Sequence, residues 1–205
     1  MQRSPSLTCM PSSPTQQSYE VRFDWGLEGL SSIAPGAGVI VLVDVLRSET
    51  DAAASALAAA AAGFGVPVIA ADLRNFSAAA RWILDRQQAL GRRANVAVVA
   101  AGERRGDDAL RPAVEDQLAA GALVGALSDL GIDACSPEAA VASAGFAGLR
   151  RAAGHLLTAS VTARELAAAG RLDEVKEAAR LDASTAVPVL HDGVLRAGSP
   201  ERPQE

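Results

Sequence analysis

The chain has 205 residues, a formal net charge of −5, 49% hydrophobic residues and only 3% aromatic ones. A surface of that sign, with no basic stripe, repels a phosphate backbone and argues against nucleic acid as a partner. No segment reaches the roughly 18 apolar residues that a membrane-crossing helix needs, so no membrane partner is expected.

Residues 1–18 are polar and lack the apolar core of a secretion signal. They read as a disordered lead-in to a cytoplasmic protein. Cys9 and Cys135 lie far apart and match no metal-ligand spacing, so a reducing compartment is the simpler reading. Residues 19–25 alternate in character and predict a strand. A turn at residues 35–38 leads into residues 39–43, Val-Ile-Val-Leu-Val, the pattern of a strand buried on both faces. An Ala-rich helix follows over residues 50–62 and stops at Gly63. Residues 66–70 make a second buried strand. Asn75 then caps a helix running to residue 90, with Ala79, Trp82, Ile83 and Leu90 as its apolar stripe.

Residues 96–100 predict a third buried strand, which leaves through a charged, glycine-punctuated loop at residues 102–108. Pro112 opens the first turn of a helix over residues 112–127. Ser136 caps the next helix, and two or three helices cover residues 137–180. Residues 187–196 close the chain as a hairpin with Asp192 and Gly193 in its turn. Strands alternating with helices predict one layered α/β/α domain over residues 19–198, with a mostly parallel central sheet. Residues 199–205 read as a disordered tail.

Ligands of open α/β sheets bind beyond the carboxyl ends of the strands, and two charged segments have that position. In the first, Asp44 ends a strongly apolar strand. Its carboxylate is fixed and partly desolvated, which suits a divalent cation with oxygen ligands. Arg47 precedes a helix N-terminus, where free N–H groups and the dipole favour an anion. With the hydroxyls of Ser48 and Thr50 it could hold a phosphate or sulfonate, although Glu49 in the same place repels one. The plainer reading is a capped helix start with a surface Asp–Arg pair. The second segment runs from Gly102 and Glu103 to Glu115 and Asp116. Adjacent helical residues point about 100° apart, so one of Glu115 and Asp116 binds metal or acts as a base while the other is solvated. Acidic residues complementing a helix dipole are the plainer reading here. Ser160 is either a helix cap or an anion donor, and His155 and His191 read as structural. No Gly-rich phosphate cradle, nucleophile elbow or zinc signature is present.

At these residues the chain resembles the 2-phosphosulfolactate phosphatases, often called the ComB family. That family has an apolar strand running into Asp-Val-Leu-Arg-Ala-Thr-Thr, and Asp44, Arg47 and Thr50 match it. Its strand ending in Ala-Gly stands here as Ala101-Gly102. Its Leu-Glu-Asp helix carrying Cys-Ala-Gly stands as Glu115 and Asp116 followed by Ala119, Ala120 and Gly121, with Ala119 where the Cys would be. Its Asn-led helix is matched by Asn75 with Ala78, Ala79, Ala80 and Arg81, and residues 160–193 are similar as well. The resemblance covers residues 19–196. The family's long middle section, with two active-site loops, is missing, and residues 66–72 join its flanks, so the chain looks like a shortened member.

The resemblance implies a ComB-like fold. It also implies Mg²⁺-assisted hydrolysis of a phosphate monoester of a small sulfonated or carboxylated acid, giving sulfolactate and phosphate in the 2-phosphosulfolactate case. Asp44, Arg47 and Asp116 are then the catalytic candidates. Metal falls to Asp44 with Glu115 or Asp116, and the small anionic substrate falls to Arg47, Ser48, Thr50 and Asn75. Apolar surface exposed by the missing section predicts a homodimer. The alternative is a catalytically degenerate member, kept as an anion-binding or oligomer-forming module.

Overall fold

The computed structural model describes residues 16–47, 53–104 and 109–198. Gln16–Ser18 form a 3-10 turn, and the Gln16 side chain pairs with both backbone groups of Phe23 at 2.9 and 3.0 Å. The chain then runs through strand β1 (Val21–Trp25), helix α1 (Gly26–Ile33), β2 (Val39–Val43), α2 (Ala53–Ala62), β3 (Val68–Ala71), α3 (Phe76–Leu90) and β4 (Val96–Ala100). A two-stranded ribbon, β5 (Glu103–Arg104) and β6 (Leu110–Arg111), leads to α4 (Val114–Asp129). Then come α5 (Pro137–Leu149), α6 (Ala153–Thr158), α7 (Val161–Ala168), α8 (Leu172–Ala178) and the hairpin β7 (Val187–His191) and β8 (Val194–Gly198).

The described residues form a six-stranded sheet in the order β1-β4-β2-β3-β7-β8. β1, β4, β2 and β3 are parallel, whereas β7 and β8 add antiparallel at one end. Period-2 alternation explains the continuous apolar runs. Val39, Val41 and Val43 of β2 face the larger core with α3 to α8, while Ile40 and Leu42 face a smaller one under α1 and α2. The result is an α/β/α sandwich, as the sequence predicts.

Several local expectations shift. α1 was not foreseen, because Gly26, Gly29, Ser31 and Ser32 are poor helix formers. It forms because Leu30 and Ile33 are buried and because the buried Arg22 of β1 donates to the carbonyls of Ile33 (3.0 Å) and Pro35 (2.9 Å) at its C-terminal end. The strand expected at 66–70 occupies Val68–Ala71. Leu90 is exposed, and Phe76, Ala80 and Gln87 complete the buried face of α3 instead. Pro112 lies just before the cap residue Ala113, outside the first turn of α4. Ser136 and Ser160 both cap helices, accepting from Ala139 and Ala163 at 3.2 Å, which settles Ser160 as a cap. Asp192 (φ 49°) and Gly193 (φ 77°) make the hairpin turn in the left-handed region, as a type I′ turn requires.

α4 is buried on nearly every side, from Leu118 through Leu127. It packs so closely on α5 that a Cβ at Gly121 would stand 2.8 Å from the Ala142 carbonyl carbon and 2.9 Å from Phe146 Cβ. Gly121→Ala therefore overpacks backbone against backbone and is expected to destabilise by about 1–3 kcal/mol despite the better helix propensity of Ala. Denaturant unfolding measures this, and an unchanged midpoint would contradict the packing described.

Candidate functional site

The carboxyl ends of β2, β3 and β4 lie on one edge of the sheet, because these strands are parallel. The chain leaves β2 for α2 on one face and β3 for α3 on the other. Adjacent strands that wind in opposite senses leave a crevice between their exits. A cleft of about 680 Å³ opens there. Asp44 and Arg47 line it from the β2 exit, and Asp72, Arg74 and Asn75 from the β3 exit. Arg171, just before α8, and Asp173, Glu174 and Glu177 of α8 line it as well, with Pro188 and Leu195 of the hairpin.

Asp44 and Arg47 thus converge. The Arg47 Nε donates to Asp44 Oδ2 at 2.6 Å, with the Asp44 side chain 9% exposed and that of Arg47 54% exposed. Ser48 and Thr50, the other expected anion donors, and Glu49 lie outside the described residues.

Asp116 sits behind Asp44. One carboxylate oxygen accepts the N–H of Val45 and the other that of Gly102, each at 2.9 Å. The second bond requires Gly102, whose φ of 65° is left-handed and whose Cα faces the Arg111 carbonyl so closely that a Cβ would stand 2.8 Å from it. Burial, and then the nearby Asp44 charge, push the Asp116 carboxyl well above the ordinary range, with the charge of Glu115 adding to the rise and the two backbone bonds opposing it. Glu115 is also buried, and its Oε2 has no hydrogen-bond partner among the described residues. The expectation that one of the pair is solvated is therefore wrong. α4 enters beneath the strand exits, so both carboxylates point into protein, and neither lines the cleft.

Asn75 occupies the N-cap position of α3, but its side chain does not cap the helix. Its Oδ1 accepts from Asp72 N (2.8 Å), and its Nδ2 donates to the carbonyls of Ala70 (3.3 Å) and Ala186 (2.9 Å). The amide thereby braces the β3 exit against the approach to β7. Asp182, 105 residues on, accepts from Ser77 N at 3.2 Å and caps α3 instead. Glu103 of β5 meets Arg111 of β6 and Thr162 of α7, which docks the ribbon on the helical layer. His155 and His191 are exposed and lie outside the cleft lining.

The sequence reading missed the acidic and basic residues that α8 brings to the cleft, and also Asp72 and Arg74. Asp72 had a usable signal, since it follows an apolar strand as Asp44 does. Among the described residues no three His, Cys, Asp or Glu side chains are grouped as a ready-made metal cage, and no helix is long and apolar enough to cross a membrane.

Comparison with known families finds a match. The family model described as 2-phosphosulpholactate phosphatase matches residues 49–193, most of the chain; it includes the β3 exit, α4 and α8 but begins after Asp44 and Arg47, short of the 19–196 expected from the sequence. No individual curated protein matches.

The Asp116 geometry makes a prediction with a definite sign. A carboxyl whose folded pKa is raised binds its proton more readily in the folded than in the unfolded chain, so stability falls as pH rises from about 4 through the raised value. The slope in that window can reach about 1.4 kcal/mol per pH unit and should flatten in Asp116→Asn. Asn turns one acceptor into a donor facing a backbone N–H, so Asp116→Asn should also cost about 1–3 kcal/mol. Denaturant unfolding across pH tests both, and an unaltered slope in the variant refutes the assignment.

Proposed function

The chain belongs to the 2-phosphosulpholactate phosphatase family, and from that premise we propose that it hydrolyses a phosphate monoester of a small sulfonated or carboxylated acid in the cleft beyond β2 and β3. The observation that carries this reading is the Asp44–Arg47 pair lining a cleft of about 680 Å³ at the sheet edge where such folds bind ligands.

Arg47 is the group that receives the phosphate. Its side chain is over half exposed, its fork matches two phosphate oxygens, and charge growing on them in the transition state is met by a cation already in place. Asp44 holds Arg47 at the mouth before substrate arrives. Asp116 acts at one remove, fixing the backbone at Val45 and Gly102 so that Asp44 keeps its position.

The described cleft lining carries five carboxylates (Asp44, Asp72, Asp173, Glu174, Glu177) against three guanidiniums (Arg47, Arg74, Arg171). A polyanionic substrate entering that field is repelled. Each like-charge contact at about 4 Å costs about 4 kcal/mol at an effective dielectric of 20. An excess of hard oxygen donors of this kind fits Mg²⁺, which is commonly held by one or two protein carboxylates with water and phosphate completing the shell. Asp44 is the carboxylate that would hold it. Asp116 already has both oxygens engaged, and Glu115 lies outside the lining. When bound, Mg²⁺ supplies charge neutralisation on the phosphoryl group and an activated water.

The binding-only alternative rests on a different observation: each of the three guanidiniums already faces a carboxylate. Phosphate release decides between them. The full chain with Mg²⁺ is expected to release phosphate from 2-phosphosulfolactate and to stop on chelation. Arg47→Ala should lower kcat by about 10²–10³-fold, and Asp44→Asn should weaken the dependence on Mg²⁺ concentration. No release from wild type under these conditions removes the phosphatase reading.

A further inference from the structure

We propose that Arg74 determines which acids the cleft accepts, by taking the second anionic group, a sulfonate or carboxylate, of a substrate whose phosphate lies at Arg47. This rests on the phosphatase reading for the phosphate position and adds a subsite to it.

The three cleft guanidiniums are not held alike. Arg47 is bonded to Asp44 at 2.6 Å, and Arg171 places Nε and Nη2 on the two oxygens of Glu174 at 2.7 Å each. These are short, charge-assisted bonds. Arg74 instead reaches a single oxygen of Asp72 at 3.3 Å (Nε) and 3.2 Å (Nη2), and lies 3.6 Å from Glu177. Every contact of its head group among the described residues is longer than those of Arg47 and Arg171.

Its backbone, by contrast, is fixed on both sides. Arg74 N donates to Asp72 Oδ1 at 2.7 Å, and its carbonyl accepts from Ser184 N at 2.8 Å. The neighbouring carbonyl of Leu73 accepts from Asp182 N at 2.8 Å, and Asn75 is braced by three backbone contacts. A loosely engaged planar donor on a rigid mount is preorganised for a bidentate oxyanion.

Removing Arg74 from its carboxylates also strands neither of them. Asp72 keeps the Arg74 N–H on its other oxygen, and Glu177 keeps Arg180 at 3.0 Å. The exchange from internal carboxylate to ligand therefore leaves no buried charge unpaired, which makes Arg74 the cleft cation most readily turned to a ligand.

Equilibrium binding tests this independently of turnover. Calorimetric titration of sulfolactate, which carries a sulfonate and a carboxylate, and of inorganic phosphate compares the full wild-type chain with its variants. In Arg74→Gln the loss of sulfolactate affinity should exceed the loss of phosphate affinity by about tenfold or more, with Arg74→Lys intermediate because a point charge lacks the fork. Glu177→Gln, at a half-exposed position, should tighten sulfolactate binding several-fold more in the chain that keeps Arg74 than on the Arg74→Gln background, where only the general relief of cleft repulsion remains. Equal losses for both ligands, or no sulfolactate binding by wild type, overturn the proposal. Arg74-dependent sulfolactate binding in a protein that releases no phosphate would sustain the subsite while removing the phosphatase reading.

Discussion

Two backbone N–H groups from different loops, those of Val45 and Gly102, converge on the carboxylate of Asp116, and the geometry of the cleft depends on it. Parallel strands end with donors that the sheet does not use, and at this edge a helix side chain supplies the acceptors. Taking a carboxylate out of water costs several kcal/mol, and two hydrogen bonds to it return only about 1.5–3 kcal/mol each. With Asp44 and Glu115 nearby the balance stays unfavourable to the charge, which is why the Asp116 carboxyl sits high. The carboxylate is held there because α4 is itself immobilised, with almost every side buried and Gly121 set against the backbone of α5.

From this anchor the site is assembled outward. The β2 exit is held against the β4 exit, so Asp44 stands at the mouth with Arg47 folded onto it. The β3 exit is fixed separately through Asn75, whose amide joins Asp72, Ala70 and Ala186. α8 then closes the far wall with a row of charges, and the hairpin contributes Pro188 and Leu195. Rigid backbone with exchangeable ion pairs suits the anion binding proposed for this cleft. The pairs keep each guanidinium in place before a ligand arrives, and solvent access at the rim keeps the cost of exchange low.

The braces also couple distant parts of the chain. Asp182 caps α3 from 105 residues away, and Asp182 and Ser184 hydrogen-bond the carbonyls of Leu73 and Arg74. Arg22 does the same for α1, drawing four backbone carbonyls onto one buried guanidinium. At the outer edge of β1, the segment around Ala134 to Ser136 bonds Glu20 and Val21 and so covers what would otherwise be an open strand edge. Cleft geometry is therefore sensitive to changes far from it in sequence.

The strands of the six-stranded sheet, most of the helices, the parallel arrangement and the pairing of Asp44 with Arg47 were legible in the sequence, because each follows from local periodicity or from a spacing of three residues; the short ribbon of β5 and β6, where a loop was expected, was not. Val39 to Val43 read as a strand covered on both faces, and Asp192-Gly193 as a hairpin turn. What tertiary structure decided was the partner of each polar group. Asn75 stands where a cap belongs, yet a residue from the other end of the chain does the capping. Glu115 and Asp116 look like one inward and one outward residue, yet both are buried because the helix beneath them is surrounded. Arg74, Arg171 and the α8 carboxylates meet Asp44 only through the winding of the sheet. Periodicity reports which face of an element is apolar. Hydrogen-bond partners many residues apart are chosen by packing, and no local pattern carries that information.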